Sequence, residues 1–197
     1  MNINEFLDVV RWRNSCRSYD ASKQVSDEAI NNCLIAANNA PSACNRQPWR
    51  WVIVKDEKTR QELYNRGILP GLTMKWIQDA PVIAVLCAKS DTIVHWFAPI
   101  LSKVPYYLVD NGIAGEHFVL AAAAQGLGTC WIGWINPKGI KQVLGIPKSI
   151  QPIAMITLGY PNEKRDPAPK LPQNEIAYFD KWAASRLEGN CLADAIS

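Results

Sequence analysis

The sequence predicts a domain in which a central β-sheet is covered by helices on both faces, and three observations predict it. Strand-like and helix-like patterns alternate along the 197 residues. Val82–Ala88 and Pro152–Leu158 are almost continuous apolar runs, which is the pattern of strands buried on both faces. Asp110–Gln125 reads as one long helix whose run of alanines at 121–124 offers a small-residue face for close packing. The length suits one domain, residues 1–197, with about 162–197 as an extended C-terminal arm.

Each element has a local reason. Ile3, Phe6, Leu7 and Val10 recur at helical spacing, predicting a first helix from about Asn4 to Arg13. Val25-Ser-Asp-Glu-Ala-Ile30 is a helix start, with Ser26 as N-cap, acids in the first turn and Val25 placed to staple against Ile30. That helix ends before Pro41. Trp49–Val54 alternates as a strand and leads through a charged turn to a short helix around Thr59–Asn65. A second short helix is expected around Thr73–Gln78, before the strand at Val82. From Lys89 to Pro105 the pattern is irregular and is read as a lid, with Trp96 and Phe97 facing substrate; aromatics in such connections also form small satellite cores. Thr129–Ile135 reads as a strand interrupted by Gly133, and Pro137–Leu144 as a helix stopped by Gly145. The proline-rich tail Arg165–Pro172 cannot satisfy its own backbone and is expected to lie on another surface, followed by an amphipathic segment around Trp182.

Two clusters and one glycine carry chemistry. Arg13-Asn-Ser-Cys-Arg17 places two guanidinium groups and a hydroxyl at a helix end, a donor set that suits a phosphate; the same residues also suit a solvated helix C-terminus. Pro41-Ser-Ala-Cys-Asn-Arg-Gln-Pro48 is a polar loop pinned between two prolines, in which Ser42, Asn45 and Gln47 can read the edge of a planar heterocycle or serve as ordinary turn residues. Glycine within a strand, as at Gly133, marks close approach by backbone or ligand, while the tryptophans flanking it also suit a core.

Composition excludes other classes. A net charge of +3, with its basic residues dispersed, argues against nucleic acid. The acidic start lacks the basic-then-apolar pattern of a secretory signal, and no stretch has the length of a membrane span. The scattered cysteines form no metal-ligand or redox pair, so separate thiols in a reducing cytoplasm are expected. Cys44 sits in the polar loop with no base near it in sequence.

In order and spacing, Arg13–Arg17, Pro41–Trp49 and Gly126-Leu-Gly-Thr-Cys-Trp-Ile-Gly133 resemble the successive motifs of the nitroreductase family of FMN-dependent oxidoreductases. The resemblance covers about Phe6 to Phe179. It implies an α+β fold with a mixed central sheet, built as a homodimer that exchanges its C-terminal arm and holds FMN at the subunit interface. By the same resemblance Arg13, Asn14, Ser15 and Arg17 hold the FMN phosphate, ribityl and pyrimidine edge, with Arg17 stabilising the reduced, anionic flavin. Ser42, Ala43, Asn45 and Gln47 match the loop that meets the flavin from the other subunit, and Ile132, Gly133 and Trp134 the segment along its ring. Lys170 matches a basic phosphate ligand of the tail. Asn14 stands where many members have Arg or His, and Lys170 where Arg is common. The implied activity is ping-pong hydride transfer from NADH or NADPH to nitroaromatics, quinones or similar acceptors, with no metal and no catalytic side chain. Rival readings are a specialised relative such as a reductive dehalogenase, a non-enzymatic flavin carrier or redox sensor, and a thiol enzyme using Cys44.

Overall fold

Residues 2–89, 104–163 and 167–182 are described by the structure, a computed structural model. Helix α1, Ile3–Trp12, opens with a reciprocal cap. The Asn2 side chain accepts the Glu5 N–H at 3.0 Å while the Glu5 carboxylate accepts the Asn2 N–H at 2.9 Å. No residue of α1 is buried, and at Arg13 the backbone turns extended. Helix α2, Asp27–Asn38, starts under Ser26, whose hydroxyl accepts the Ala29 N–H at 3.1 Å, and the expected staple partners Val25 and Ile30 are buried in one cluster.

The sheet consists of β1 (Trp49–Val54), β2 (Val82–Lys89), β3 (Gly128–Ile132) and β4 (Ile150–Gly159), in the order β1-β2-β4-β3. Its three ladders are antiparallel, with Trp49 opposite Ala88, Val82 opposite Leu158 and Thr129 opposite Leu158. The sheet of the described residues is thus antiparallel rather than mixed, and a parallel pairing occurs only as an isolated bridge, Ser15 with Thr129, at the outer edge of β3. From Val82 to Ala88 every residue of β2 is buried, because both faces of this strand are covered. On one face Ala84, Ile156 and Leu158 pack with Ile30 of α2 and with Phe118 and Ala122 of α4 (Tyr106–Ala124). On the other, Ile83, Val85 and Met155 pack with Leu63 of α3 (Glu57–Gly67) and Ile140 of α5 (Pro137–Leu144). The alternation along β2 thus sorts its side chains into two separate cores.

Three boundaries move for identifiable reasons. Helix α4 begins at Tyr106 rather than Asp110, so Asp110 lies inside it and its carboxylate is free to bond elsewhere. The strand expected to run to Ile135 ends at Ile132. There the Gly133 carbonyl accepts the Ile135 N–H at 2.9 Å, and the chain leaves the sheet to bridge Ile68 through Ile135. The helix expected around Thr73–Gln78 is a single tight turn, Lys75–Ile77. Gly145, with φ of 64°, stops α5 in the left-handed conformation that glycine adopts without strain.

Two compact units can be distinguished, Met1–Asp166 and Pro167–Ser197. Within the second, residues 167–172 have no regular secondary structure, α6 (Gln173–Ile176) is one turn, and the Tyr178 and Trp182 rings lie 4.5 Å apart. The anticipated lid with Trp96 and Phe97 lies outside the described residues.

Candidate functional site

The segment after α1 runs along the outer edge of β3, where the Cys16 N–H donates to the Thr129 carbonyl at 2.8 Å. Such backbone pairing fixes Arg13, Ser15 and Arg17 beside Cys130 of β3. All three act on the Cys130 thiol, whose pKa burial pushes up while Arg17, Ser15 and Arg13 pull it down. The Arg17 guanidinium also lies 6.0 Å from the Trp76 ring centroid. The Asn14 side chain donates from Nδ2 to the Trp12 carbonyl at 2.9 Å.

Arg13 pairs with Glu116 of α4, Nε to Oε1 at 3.6 Å. Burial holds the Glu116 carboxyl above its ordinary range, with Arg13 and His117 opposing the rise. A carboxyl raised in this way adds stability while protonated and loses it as pH climbs through its folded pKa. Glu116→Gln is therefore expected to flatten the decline of stability between acid and neutral pH. The effect is less than about 1 kcal/mol, because the pair is partly solvated. Urea midpoints at pH 4 and pH 8 that decline in parallel for both proteins would contradict this.

The polar loop is held in an unusual backbone path. Cys44, Asn45 and Gln47 have φ of 52°, 53° and 48°, a region that costs non-glycine residues free energy and persists only when neighbours enforce it. Here the neighbours are identifiable. Ser42 Oγ accepts the Gln47 N–H at 2.9 Å, Asp110 Oδ1 accepts the Ala43 N–H at 3.0 Å, and Gln47 Nε2 donates to Asn45 Oδ1 at 2.9 Å. These bonds leave the Asn45 amide Nδ2 and Gln47 Oε1 unused on an exposed loop. Loop and arginine cluster are both held by α4, through Asp110 and Glu116. At 1.5 Å and 100° per residue these acids stand about 9 Å apart along the helix and about 120° apart around it. One chain therefore presents the two motifs on different sides of α4.

At the end of β3, Ile132 is buried in the core while Gly133 and Trp134 face outward. A Cβ built on Gly133 would meet nothing within 4 Å, and Trp134 is 65% exposed. The glycine thus marks open space rather than close approach by the protein's own backbone, and Trp134 does not fill a core. Lys170 belongs to the second unit, where it is exposed.

Sequence reasoning missed Glu116, Trp76 and the holding role of Asp110. The available signal was the presence of two acids in an otherwise apolar, alanine-rich helix. Among the described residues the five cysteines Cys16, Cys33, Cys44, Cys87 and Cys130 are free. Burial pushes Cys33 and Cys87 up to about 11, which keeps both as inert thiols at neutral pH. No helix of the described residues is long and apolar enough to cross a membrane.

Comparison with known proteins places these features. The chain is 34% identical over 174 residues to a protein of Archaeoglobus fulgidus that bears the provisional name NADH dehydrogenase/NAD(P)H nitroreductase, covering 83% of this chain and 90% of that one. It is 29% identical to an FMN reductase (NAD(P)H) of Bacillus subtilis, over 91% of this chain and 75% of the other. A solved nitroreductase family protein of Clostridium novyi superposes with a TM-score of 0.71 at 28% identity, covering 94% of this chain and 98% of that one. The model of the nitroreductase family matches residues 10–69 and 68–160, which include the arginine cluster, the strained loop and the open glycine, and the chain belongs to that family.

Proposed function

We propose that the chain is an FMN-dependent oxidoreductase that moves hydride from NADH or NADPH to nitroaromatic, quinone or similar acceptors, working as a cytoplasmic homodimer. When bound, FMN supplies the hydride-accepting and hydride-donating chemistry, in a ping-pong cycle where the donor leaves before the acceptor enters. The observation that carries the reading is the layout of β3. Arg17, Ser15 and Arg13 all act on the Cys130 thiol of β3, and just past the end of that strand Gly133 opens onto free space. That donor set suits a phosphate, and the open glycine leaves room for a flat ring.

In this reading Arg13, Ser15 and Arg17 grip the phosphate and polar edge, with Asn14 beside them, and Ile132, Gly133 and Trp134 border the ring. Arg17 adds positive charge that favours the reduced, anionic state. Ser42, Ala43, Asn45 and Gln47 serve the site of the other subunit. Support comes from their place on a different side of α4 from Arg13. Further support comes from the apolar residues Ile3, Phe6 and Val10 of α1 and Leu108 and Val109 of α4, which are exposed in a single chain. The tail is an arm of the single domain that reaches the partner, bringing Lys170 to the phosphate.

The test is to release the chromophore of the purified protein by heat and identify it, then to titrate FMN by fluorescence. Arg17→Ala is expected to weaken FMN binding about 10- to 100-fold, the worth of one charge-assisted hydrogen bond, with Arg17→Lys in between. Unchanged affinity in Arg17→Ala would remove Arg17 from the site. Bound FMN that NADPH reduces no faster than free FMN would replace the reductase with a flavin carrier.

A further inference from the structure

A cleft lies beside the segment that follows the open glycine. It is an open groove of about 470 Å³, bounded by the C-terminal end of α3, the turn after it and the start of α5. Backbone bonds tie it to the proposed ring segment. The Leu69 N–H donates to the Trp134 carbonyl at 3.2 Å, and the Asn136 N–H to the Gly67 carbonyl at 2.7 Å. The lining carries two cations, Arg66 and Lys138, and no acid. Leu69, Pro70 and Leu72 form its apolar wall. Arg66 is held at one end, Nη2 donating to Gln142 Oε1 at 2.6 Å, which leaves the rest of its donor fork uncommitted.

We infer that this cleft binds the phosphorylated adenosine half of the nicotinamide donor, with Arg66 and Lys138 receiving the 2′-phosphate, so that the protein prefers NADPH to NADH. The inference rests on the reductase reading above. Three features select this ligand. An arginine fork beside a lysine, with no carboxylate to compete, matches a phosphate dianion. The apolar wall gives a flat base something to lie against. The volume falls in the range of small-ligand sites and is far more than a bare anion fills. Nitroaromatic and quinone acceptors carry no group that requires two cations. A donor whose nicotinamide meets the ring at Gly133 has its other half to place, and Leu69 of the cleft wall is hydrogen-bonded to the next residue, Trp134.

The test uses FMN-loaded protein and two probes, 2′,5′-ADP and 5′-AMP, in calorimetric titrations of the wild type, Arg66→Gln, Lys138→Gln and the double variant. Wild-type protein is expected to bind 2′,5′-ADP more tightly than 5′-AMP. The double variant is expected to lose about 10- to 100-fold in 2′,5′-ADP affinity while its FMN affinity stays that of the wild type. In steady state, KM for NADPH should rise about tenfold or more relative to KM for NADH, and Arg66→Lys should recover part of the loss. Equal affinity of wild type and double variant for 2′,5′-ADP, or equal shifts in both KM values, would overturn the inference. Failure of the reductase reading looks different. In that case neither nucleotide reduces bound FMN in the wild type, whatever the titrations with 2′,5′-ADP show.

Discussion

Gly133→Leu is expected to leave the protein folded and to remove most of its affinity for FMN. The glycine lies just past the end of β3, a Cβ there meets nothing within 4 Å, and its φ is outside the left-handed region. A leucine at this position therefore clashes with nothing in the chain, and an exposed substitution of this kind changes stability by about 0.5 kcal/mol or less. The same side chain occupies the space assigned to the flavin ring. Overpacking of a fitted site costs about 1–3 kcal/mol, so FMN affinity should fall by up to about 100-fold. Circular dichroism and urea titration check the first half, and fluorescence titration of FMN the second. Wild-type FMN affinity in the variant would move the ring away from Gly133 and with it the case built on the layout of β3.

Gly139→Ala is expected to do the reverse, damaging the fold first. Helix α5 packs so closely on the end of α3 that a Cβ on Gly139 would stand 1.8 Å from the Arg66 carbonyl oxygen. Backbone cannot yield as a flexible side chain does. The Arg66 carbonyl also accepts the Asn136 side-chain Nδ2 at 3.1 Å, so pushing the helices apart breaks a bond as well as the packing of Ile140 in the core. A loss of about 3 kcal/mol follows, at the upper end for overpacking. In a domain of this size that lowers Tm by on the order of 10 °C, readable by thermal unfolding. An unaltered Tm would mean that α3 and α5 separate freely, and the shape of the cleft between them would then carry no weight. The two glycines thus differ in what surrounds them, open space at Gly133 and the backbone of a neighbouring helix at Gly139.

Much of this arrangement was legible in the chain alone, wherever the cause lies within a few residues. Ser26 caps α2 because its hydroxyl reaches the Ala29 N–H three residues on, and Trp49–Val54 was readable because its alternation is a property of neighbours. Pro137 and Gly145 bracket α5 through their own backbone preferences. The order of the three motifs likewise pointed to the family. Contacts across long stretches of chain were not legible. Nothing near Ala43 shows that its N–H is bound by Asp110, 67 residues away, or that Arg66 is held by Gln142, 76 residues away. Hydrophobic periodicity says which face of an element is buried but not which element covers it. The pairing of Arg13 with Glu116, the open side of Gly133 and the cationic cleft beside it arise when α3, α4 and α5 close over the sheet. Packing therefore decides which charges meet and where space is left, while local backbone chemistry decides where each helix and strand begins and ends.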